Sequence, residues 1–444
     1  MVQTVFIPRE TEEGESRVAA SPETVKRLAG LGFQVIVEAG AGTASRIVDT
    51  DFRAAGATIG TAADAGKADV ILKVRRPILS EFAAYRPGTA VLAIMDPYGN
   101  DAELAAMAEA SITAFAMELM PRITRAQVMD VLSSQANLAG YQAVIDAAAE
   151  YDRALPMMMT AAGTVPAAKV FVMGTGVAGL QAIATARRLG AVVTATDVRP
   201  AAKEQVASLG AKFIAVEDEE FKAAETAGGY AKEMSKEYQA KQAALTADHI
   251  AKQDIVITTA LIPGRPAPKL ISAAMVASMK AGSVIIDLAV ERGGNVDGTV
   301  PGQVITTANG VKIVGHLNVP GRVAASASLL YAKNLFAFLE TMIDKESKQL
   351  AIKRDDELVK ATMLTDSGKV VHPNFAAAQQ LVGTTGAAVA SGAAEPSVPA
   401  SKAVDRSTAK AAKGRESGLD VASKKAAPRK RATASKAKSS GGEI

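Results

Sequence analysis

The run Lys169-Val170-Phe171-Val172-Met173 passes without a break into Gly174-Thr175-Gly176-Val177-Ala178-Gly179. Leu180, Ile183 and Ala184 then fall at i, i+3, i+4 on one helix face, and a second apolar run, Ala191 to Thr196, ends at Asp197. This pattern reads as strand, tight turn, helix and parallel strand, the unit that binds dinucleotides. The first glycine suits the turn, the second lets the backbone approach a diphosphate, and the third lets helix and strand pack closely. The helix start supplies N–H groups and a positive partial charge. Asp197 lies 21 residues beyond Gly176, where an acid meets the adenosine ribose hydroxyls. A carboxylate there repels a 2′-phosphate, so the motif predicts NAD(H) over NADP(H). Val198 and Arg199 complete that edge, and Arg199 reads as a solvated loop cation that the acid outweighs.

The rest of the folded body alternates in the same way. Thr4 to Ile7, Gln34 to Glu38, Val70 to Val74, Ala90 to Met95 and Thr113 to Phe115 are strand-length runs, with helical patterns at Pro22 to Leu31 and Ala102 to Ala110. Strands separated by helices at this interval argue for parallel βαβ units. A long helix is expected over Asn137 to Tyr151, a strand over Lys212 to Val216, and a last helix over Ala325 to Ile343 that packs back on the first half. The expected fold is α/β: two Rossmann-like, doubly wound parallel-sheet domains with a cleft between them. Their predicted bounds are 1–135 with 320–374 for the first, and 136–319 for the nucleotide domain.

Charge and composition narrow the class. From Lys402 onward there are 12 Lys+Arg against 4 Asp+Glu, while the whole chain of 444 residues carries only +4. The basic excess therefore belongs to an Ala/Lys/Ser-rich end without aromatics, and residues 375–444 are expected to be a disordered linker and basic tail. A solvated extension is the simplest reading of it, with weak attraction to anionic lipid near a membrane partner or nonspecific nucleic-acid contact as the alternatives, the last the least expected. No cysteine and three histidines leave no material for a thiolate or multi-histidine metal site. No secretory leader and no membrane span are expected, because the richest apolar window, Leu104 to Met120, is broken by Glu109 and Glu118.

Four further segments suit a ligand site. Pro121 to Asp130 carries Arg122, Arg125, Gln127 and Asp130, and leads into Ser133, Ser134, Gln135 and Asn137. Arginine can hold a diphosphate or carboxamide oxygen, and glutamine offers donor and acceptor to a nicotinamide amide; ordinary helix capping explains the same run equally well. Ala227-Gly228-Gly229-Tyr230 has the glycines and amphipathic tip of a lid, or of a plain surface turn. Thr258 to Gly264, with Ala260 and Leu261, and Asp287 to Glu291 follow apolar strands, at the strand ends where open α/β sheets bind ligands.

Taken together, Pro121 to Tyr141, Met157 to Thr164, the glycine motif through Arg199, Ala224 to Met234 and Thr258 to Gly264 resemble the soluble NAD(H)-binding component of proton-translocating nicotinamide nucleotide transhydrogenases, from about residue 3 to Pro373. The resemblance implies that Arg122, Gln127, Asp130 and Ser133 surround the nicotinamide ring, that Asp197 holds the ribose, and that Tyr230 tips a mobile loop closing over the nucleotide. It implies hydride transfer between NADH and NADP+, with NADP(H) on a partner subunit and proton translocation through a transmembrane subunit. It also implies a homodimer, held on the cytoplasmic side of the inner membrane by those partners.

Ser16 to Ala19, Glu38 to Gly42 and Leu72 to Val74 also resemble alanine dehydrogenase, where Arg17 and Lys73 would bind the substrate carboxylate and carbonyl. That family's catalytic histidine has no counterpart in Ala93-Ile94-Met95-Asp96, and its later aspartate is replaced by Glu291. Hydride exchange between two nicotinamides needs no general acid or base, only rings held at near-attack distance, whereas amino-acid oxidation needs a proton acceptor. The transhydrogenase reading is therefore preferred; a catalytically silent NAD(H) sensor is the third possibility.

Overall fold

The computed structural model describes residues 2–82, 84–222, 234–262 and 264–376. Its strands, in chain order, are β1 (Thr4–Ile7), β2 (Gln34–Glu38), β3 (Thr58–Gly60), β4 (Val70–Arg75), β5 (Ala90–Ile94), β6 (Thr113–Ala116), β7 (Met158–Thr160), β8 (Gly163–Val165), β9 (Lys169–Met173), β10 (Val192–Thr196), β11 (Lys212–Phe213), β12 (Ile255–Thr258), β13 (Val284–Asp287), β14 (Val304–Thr306), β15 (Lys312–Val314), β16 (Met363–Asp366) and β17 (Lys369–Val370). They form two large sheets, ordered β17-β16-β6-β5-β4-β1-β2-β3 and β11-β10-β9-β12-β13-β15-β14, and a separate hairpin, β7-β8. Both large sheets are parallel except at one edge: β16 and β17 in the first, β14 in the second. Strand order reverses between β1 and β4 and between β9 and β12, which places a crevice at the carboxyl edge of each sheet.

Period-two burial explains why these runs are strands. In the first sheet Val5, Ile7, Val35, Val37, Val70 and Leu72 share one core with Leu335, Phe336, Phe338 and Leu339 of the helix Ala324–Thr341. Phe6, Ile36, Ile71 and Val91 point the other way, onto Leu104 and Met107 of the helix Asp101–Glu109. In the second sheet Val170, Val172, Val193, Ile255 and Ile257 pack on Ala182, Ile183 and Ala186, while Phe171, Val256 and Ile285 face the opposite layer. Strands buried on both faces must be apolar throughout, which is why they stood out as continuous runs.

Two elements differ from expectation. The strand expected over Lys212 to Val216 stops at Phe213, because side chains of the helix Lys236–Ile250 take over the backbone. Gln242 Oε1 accepts the Val216 N–H at 2.9 Å, and Tyr238 Oη donates to the Val216 carbonyl at 3.1 Å. The helix expected from Asn137 instead begins at Val131 and runs to Glu150. Asp130 caps it, accepting the Ser133 N–H at 2.9 Å.

That helix bridges the two sheets and is tied along its length. Ser134 donates to Asn334 (2.7 Å) and Arg17 to Gln135 (2.9 Å), on the side of the first sheet. Further along, Arg322 grips Asp146 with both nitrogens, at 3.1 and 2.9 Å, and Lys312 donates to the Glu150 carbonyl. Among the described residues no helix is long and apolar enough to cross a membrane.

Candidate nucleotide-binding site

The turn after β9 has the geometry a diphosphate requires. Gly174 lies at φ +96°, and a Cβ there would sit 2.6 Å from Thr259 Oγ1. A Cβ on Gly179 would fall 1.9 Å from the Gly174 carbonyl oxygen, so helix and turn meet with no room for a side chain. At Gly176 the opposite holds: nothing lies within 4 Å of a Cβ position. No side chain caps the helix Val177–Arg188 that starts there, so its positive end opens onto that space. Tight packing behind the turn and open space in front form a cradle that fits a phosphate group.

Asp197, at the end of β10, is 7 % exposed and tied into this turn. One carboxylate oxygen accepts from Thr175 N (2.7 Å) and Oγ1 (2.9 Å); Arg199 donates from N and Nε to the other and from Nη2 to the first, at 2.9–3.0 Å. Burial pushes the carboxyl up, but the hydrogen bonds and charge of Arg199 and the Thr175 amide outweigh it and hold Asp197 below the usual carboxylate range. Arg199 is therefore not the solvated cation its position suggested: it is the ion-pair partner of Asp197. Val198 between them is exposed.

The polar run before the bridging helix splits into parts. Asp130 and Ser133 meet as cap and capped residue. Arg122 and Gln127 are exposed on the segment that includes the 3-10 turn Thr124–Met129, and this turn is held by Asn334 of the helix Ala324–Thr341, whose Nδ2 donates to the Val128 carbonyl (2.8 Å). Arg125 departs from expectation. Its guanidinium makes a two-pronged pair with Asp356, at 3.0 and 2.8 Å, and Asp356 in turn caps the helix Glu357–Thr362. Its charge is engaged there because the neighbouring cap supplies a carboxylate of matching fork geometry.

The loop after β12 closes the other side of the turn. Thr259 N donates to Met173 O and Thr259 Oγ1 to Gly174 O, both at 2.9 Å. Ala260 is held by Asn295, which accepts its N–H (3.1 Å) and donates to its carbonyl (2.9 Å). Leu261 is left exposed. Asn295 is wholly buried and held by Asp287, whose carboxylate also accepts from Ala289 N, Val296 N and Thr299 Oγ1. Asn295 escaped the sequence reading; its only signal was its place shortly after a strand-end acid. Gly229 and Tyr230, the expected lid, lie outside the described residues.

One close approach links these parts. A Cβ on Gly140 of the bridging helix would lie 2.0 Å from the Ala178 carbonyl oxygen, in the first turn of the nucleotide helix. Asn137 donates to Gln181 (3.3 Å) one turn earlier. At 1.5 Å per residue, Ser133 and Asp130 stand roughly 10–15 Å along the helix from that crossing, the scale of an extended dinucleotide. The glycine turn, Asp197, Ala260 and the Asp130–Ser133 cap thus belong to one connected frame.

Fold and site define an α/β protein of the dinucleotide-binding class. The chain belongs to the alanine dehydrogenase/PNT family: the model of that family's N-terminal domain matches residues 6–139 and that of its C-terminal domain residues 143–373. It is 59% identical over 376 residues to the first part of the NAD(P) transhydrogenase subunit alpha of Rhodospirillum rubrum, covering 83% of this chain and 98% of that one. It is 45% identical over 368 residues to NAD(P) transhydrogenase subunit alpha of Cereibacter sphaeroides, covering 82% and 70%. Among solved structures, the transhydrogenase from Sinorhizobium meliloti is 69% identical and superposes with a TM-score of 0.77, over 83% of this chain and all of that one.

Proposed function

We propose that this chain is the NAD(H)-binding subunit of a proton-translocating transhydrogenase. It presents NADH to NADP+ held on a partner subunit, and hydride passes directly from one nicotinamide carbon to the other, leaving NAD+ and NADPH. The glycine cradle and Asp197 support NAD(H) as the nucleotide, and Arg122, Gln127, Asp130, Ser133 and Tyr230 are the residues assigned to the ring. Their work is to orient the nicotinamide and exclude water; no proton is gained or lost at the reacting carbons.

One observation favours this reading over amino-acid oxidation. Arg17 and Lys73, the side chains an amino-acid substrate would need, are buried and neutralised by the chain itself. Arg17 forks onto Glu15 at 2.8 and 2.6 Å. Lys73 pairs with Glu81 at 2.8 Å and Glu10 at 3.6 Å. Burial pushes Glu15 up, yet Arg17 and Arg75 hold its carboxyl down at about 2, so it stays ionised and competes with any incoming carboxylate. Mixing the chain with an NADP(H)-binding partner should give NADPH from NADH, and L-alanine with NAD+ should give no NADH; the reverse pair of results would establish an amino-acid dehydrogenase.

The homodimer draws support from the β7-β8 hairpin. It joins neither large sheet, and it exposes Met157, Met158, Met159 and Val165. An apolar ribbon of this kind gains by burial against a second copy. Proton movement and attachment to the cytoplasmic side of the inner membrane are assigned to transmembrane partner subunits.

A further inference from the structure

The two sheets' loops touch at a second place, beyond the glycine turn. Asp96, just past β5, lies at φ +46°, a left-handed conformation that a non-glycine residue keeps only when its surroundings hold it. They do. Glu118, in the 3-10 turn Met117–Leu119 just past β6 and largely buried, accepts the N–H groups of Met95 (2.9 Å) and Asp96 (2.5 Å). Arg76 Nη1 donates to the carbonyls of Met95 (2.6 Å) and Asp96 (2.9 Å), and Asn100 Nδ2 to that of Asp96 (2.7 Å). Three side chains of the first domain thus fix one short loop.

What the loop presents is directed at the other sheet. The Asp96 carboxylate ion-pairs with Arg292, which follows β13. Tyr98 lies on Gly264, where a Cβ would come 2.7 Å from its ring, and Gly264 lies four residues after Ala260, which flanks the nucleotide turn. Tyr98 is backed edge-on by Phe375 at 5.1 Å. Nearby, Asn318 Nδ2 donates to the Gly14 carbonyl at 3.0 Å, a third contact across the same cleft.

We infer that residues 95–98, pinned by Glu118 and Arg76, form a clasp that reaches across the cleft to Arg292 and Gly264 and sets how long a dinucleotide stays bound. The last clause rests on the nucleotide site proposed above; the clasp itself does not. Glu118 acts as a positioning residue, through Asp96, and touches no reacting atom. Asp96 and Arg292 are 43% and 48% exposed, so their pair alone should change the NADH dissociation rate about three- to fivefold. Tyr98, an aromatic anchor in a contact of this kind, should change it roughly tenfold.

The chain has no cysteine, so Ala102→Cys and Ala277→Cys, both exposed, place one spin label on each side of the cleft in the full-length protein. The expected wild-type result is a narrow distance distribution and slow NADH release in stopped flow. Arg292→Gln and Tyr98→Ala should broaden the distances and speed release by the factors above, while Arg292→Lys, which keeps the charge, should restore most of both. Glu118→Gln should act in the same direction, with the melting midpoint checked to confirm folding. Unchanged distances in both Arg292→Gln and Tyr98→Ala would overturn the clasp. If the wild type binds no NADH but the distances respond as stated, the clasp stands and the nucleotide reading falls.

Discussion

Replacing Gly140 by alanine should destabilise the protein, although the same change in most helices does the reverse. In an unhindered helix interior, glycine to alanine gains up to about 1 kcal/mol from lower unfolded-state entropy and better propensity. At position 140 the added carbon would meet the Ala178 carbonyl oxygen at 2.0 Å, and Ala178 Cα at 2.9 Å. Both are backbone, so neither can rotate away. Overpacking of this kind costs roughly 1–3 kcal/mol, and the only relief is to push the nucleotide helix off the bridging helix. The net expectation is a loss of about 1–2 kcal/mol, with weaker NADH binding because the displaced turn carries the phosphate cradle. Gly30 provides the control: it ends the helix Pro22–Gly30, with nothing within 4 Å of a Cβ, and Gly30→Ala should be neutral or stabilising. Urea unfolding and NADH titration on both variants decide the matter. A Gly140→Ala protein as stable as Gly30→Ala, with wild-type NADH affinity, would refute the packing argument.

Three other expectations follow from single groups. Asp197→Asn should weaken NADH binding at least about tenfold and narrow the preference over NADPH, because it removes the carboxylate that repels a 2′-phosphate; equal loss for both nucleotides in a titration would count against the assignment. Burial, partly opposed by the Asp96 and Met95 amides, pushes the Glu118 carboxyl up to about 7. Its folded-state value then exceeds its unfolded one, so stability should fall as pH rises from about 4.5 to about 7, by at most about 3 kcal/mol, and urea unfolding of Glu118→Gln should lack that component of the slope. Met159→Asp, on the exposed hairpin, should shift the protein toward monomer in sedimentation without altering its melting midpoint, whereas an unchanged mass at low micromolar concentration would remove the hairpin from the dimer.

Much of the frame was legible in the order of residues alone. The doubly buried strands announced themselves as continuous apolar runs, and the strand–glycine–helix–acid unit around Gly174 to Asp197 has few other folds open to it. The misread parts depend on partners distant in the chain. Nothing in the polar segment around Arg125 announces the carboxylate it pairs with, Asp356, 231 residues later. Glu118 looked like a charge interrupting an apolar stretch, yet its role comes from two amides on a neighbouring strand end. Asn295 is marked only by its place shortly after a strand-end acid; its part in the frame arises from burial between the β12 loop and Asp287. Arg199 is the exception: its partner, Asp197, is two residues away, but solvation is the usual fate of a loop cation and only the geometry of the carboxylate shows the pair.

Following the hydrogen itself tests the account at its centre. NADH carrying deuterium at the transferable C4 position, bound to this chain and mixed with the NADP(H)-binding partner and NADP+, should yield NADPH with the label retained at C4 and none in the water. Label lost to solvent, or NADH oxidised without matching NADPH, would contradict direct passage between two held nicotinamides.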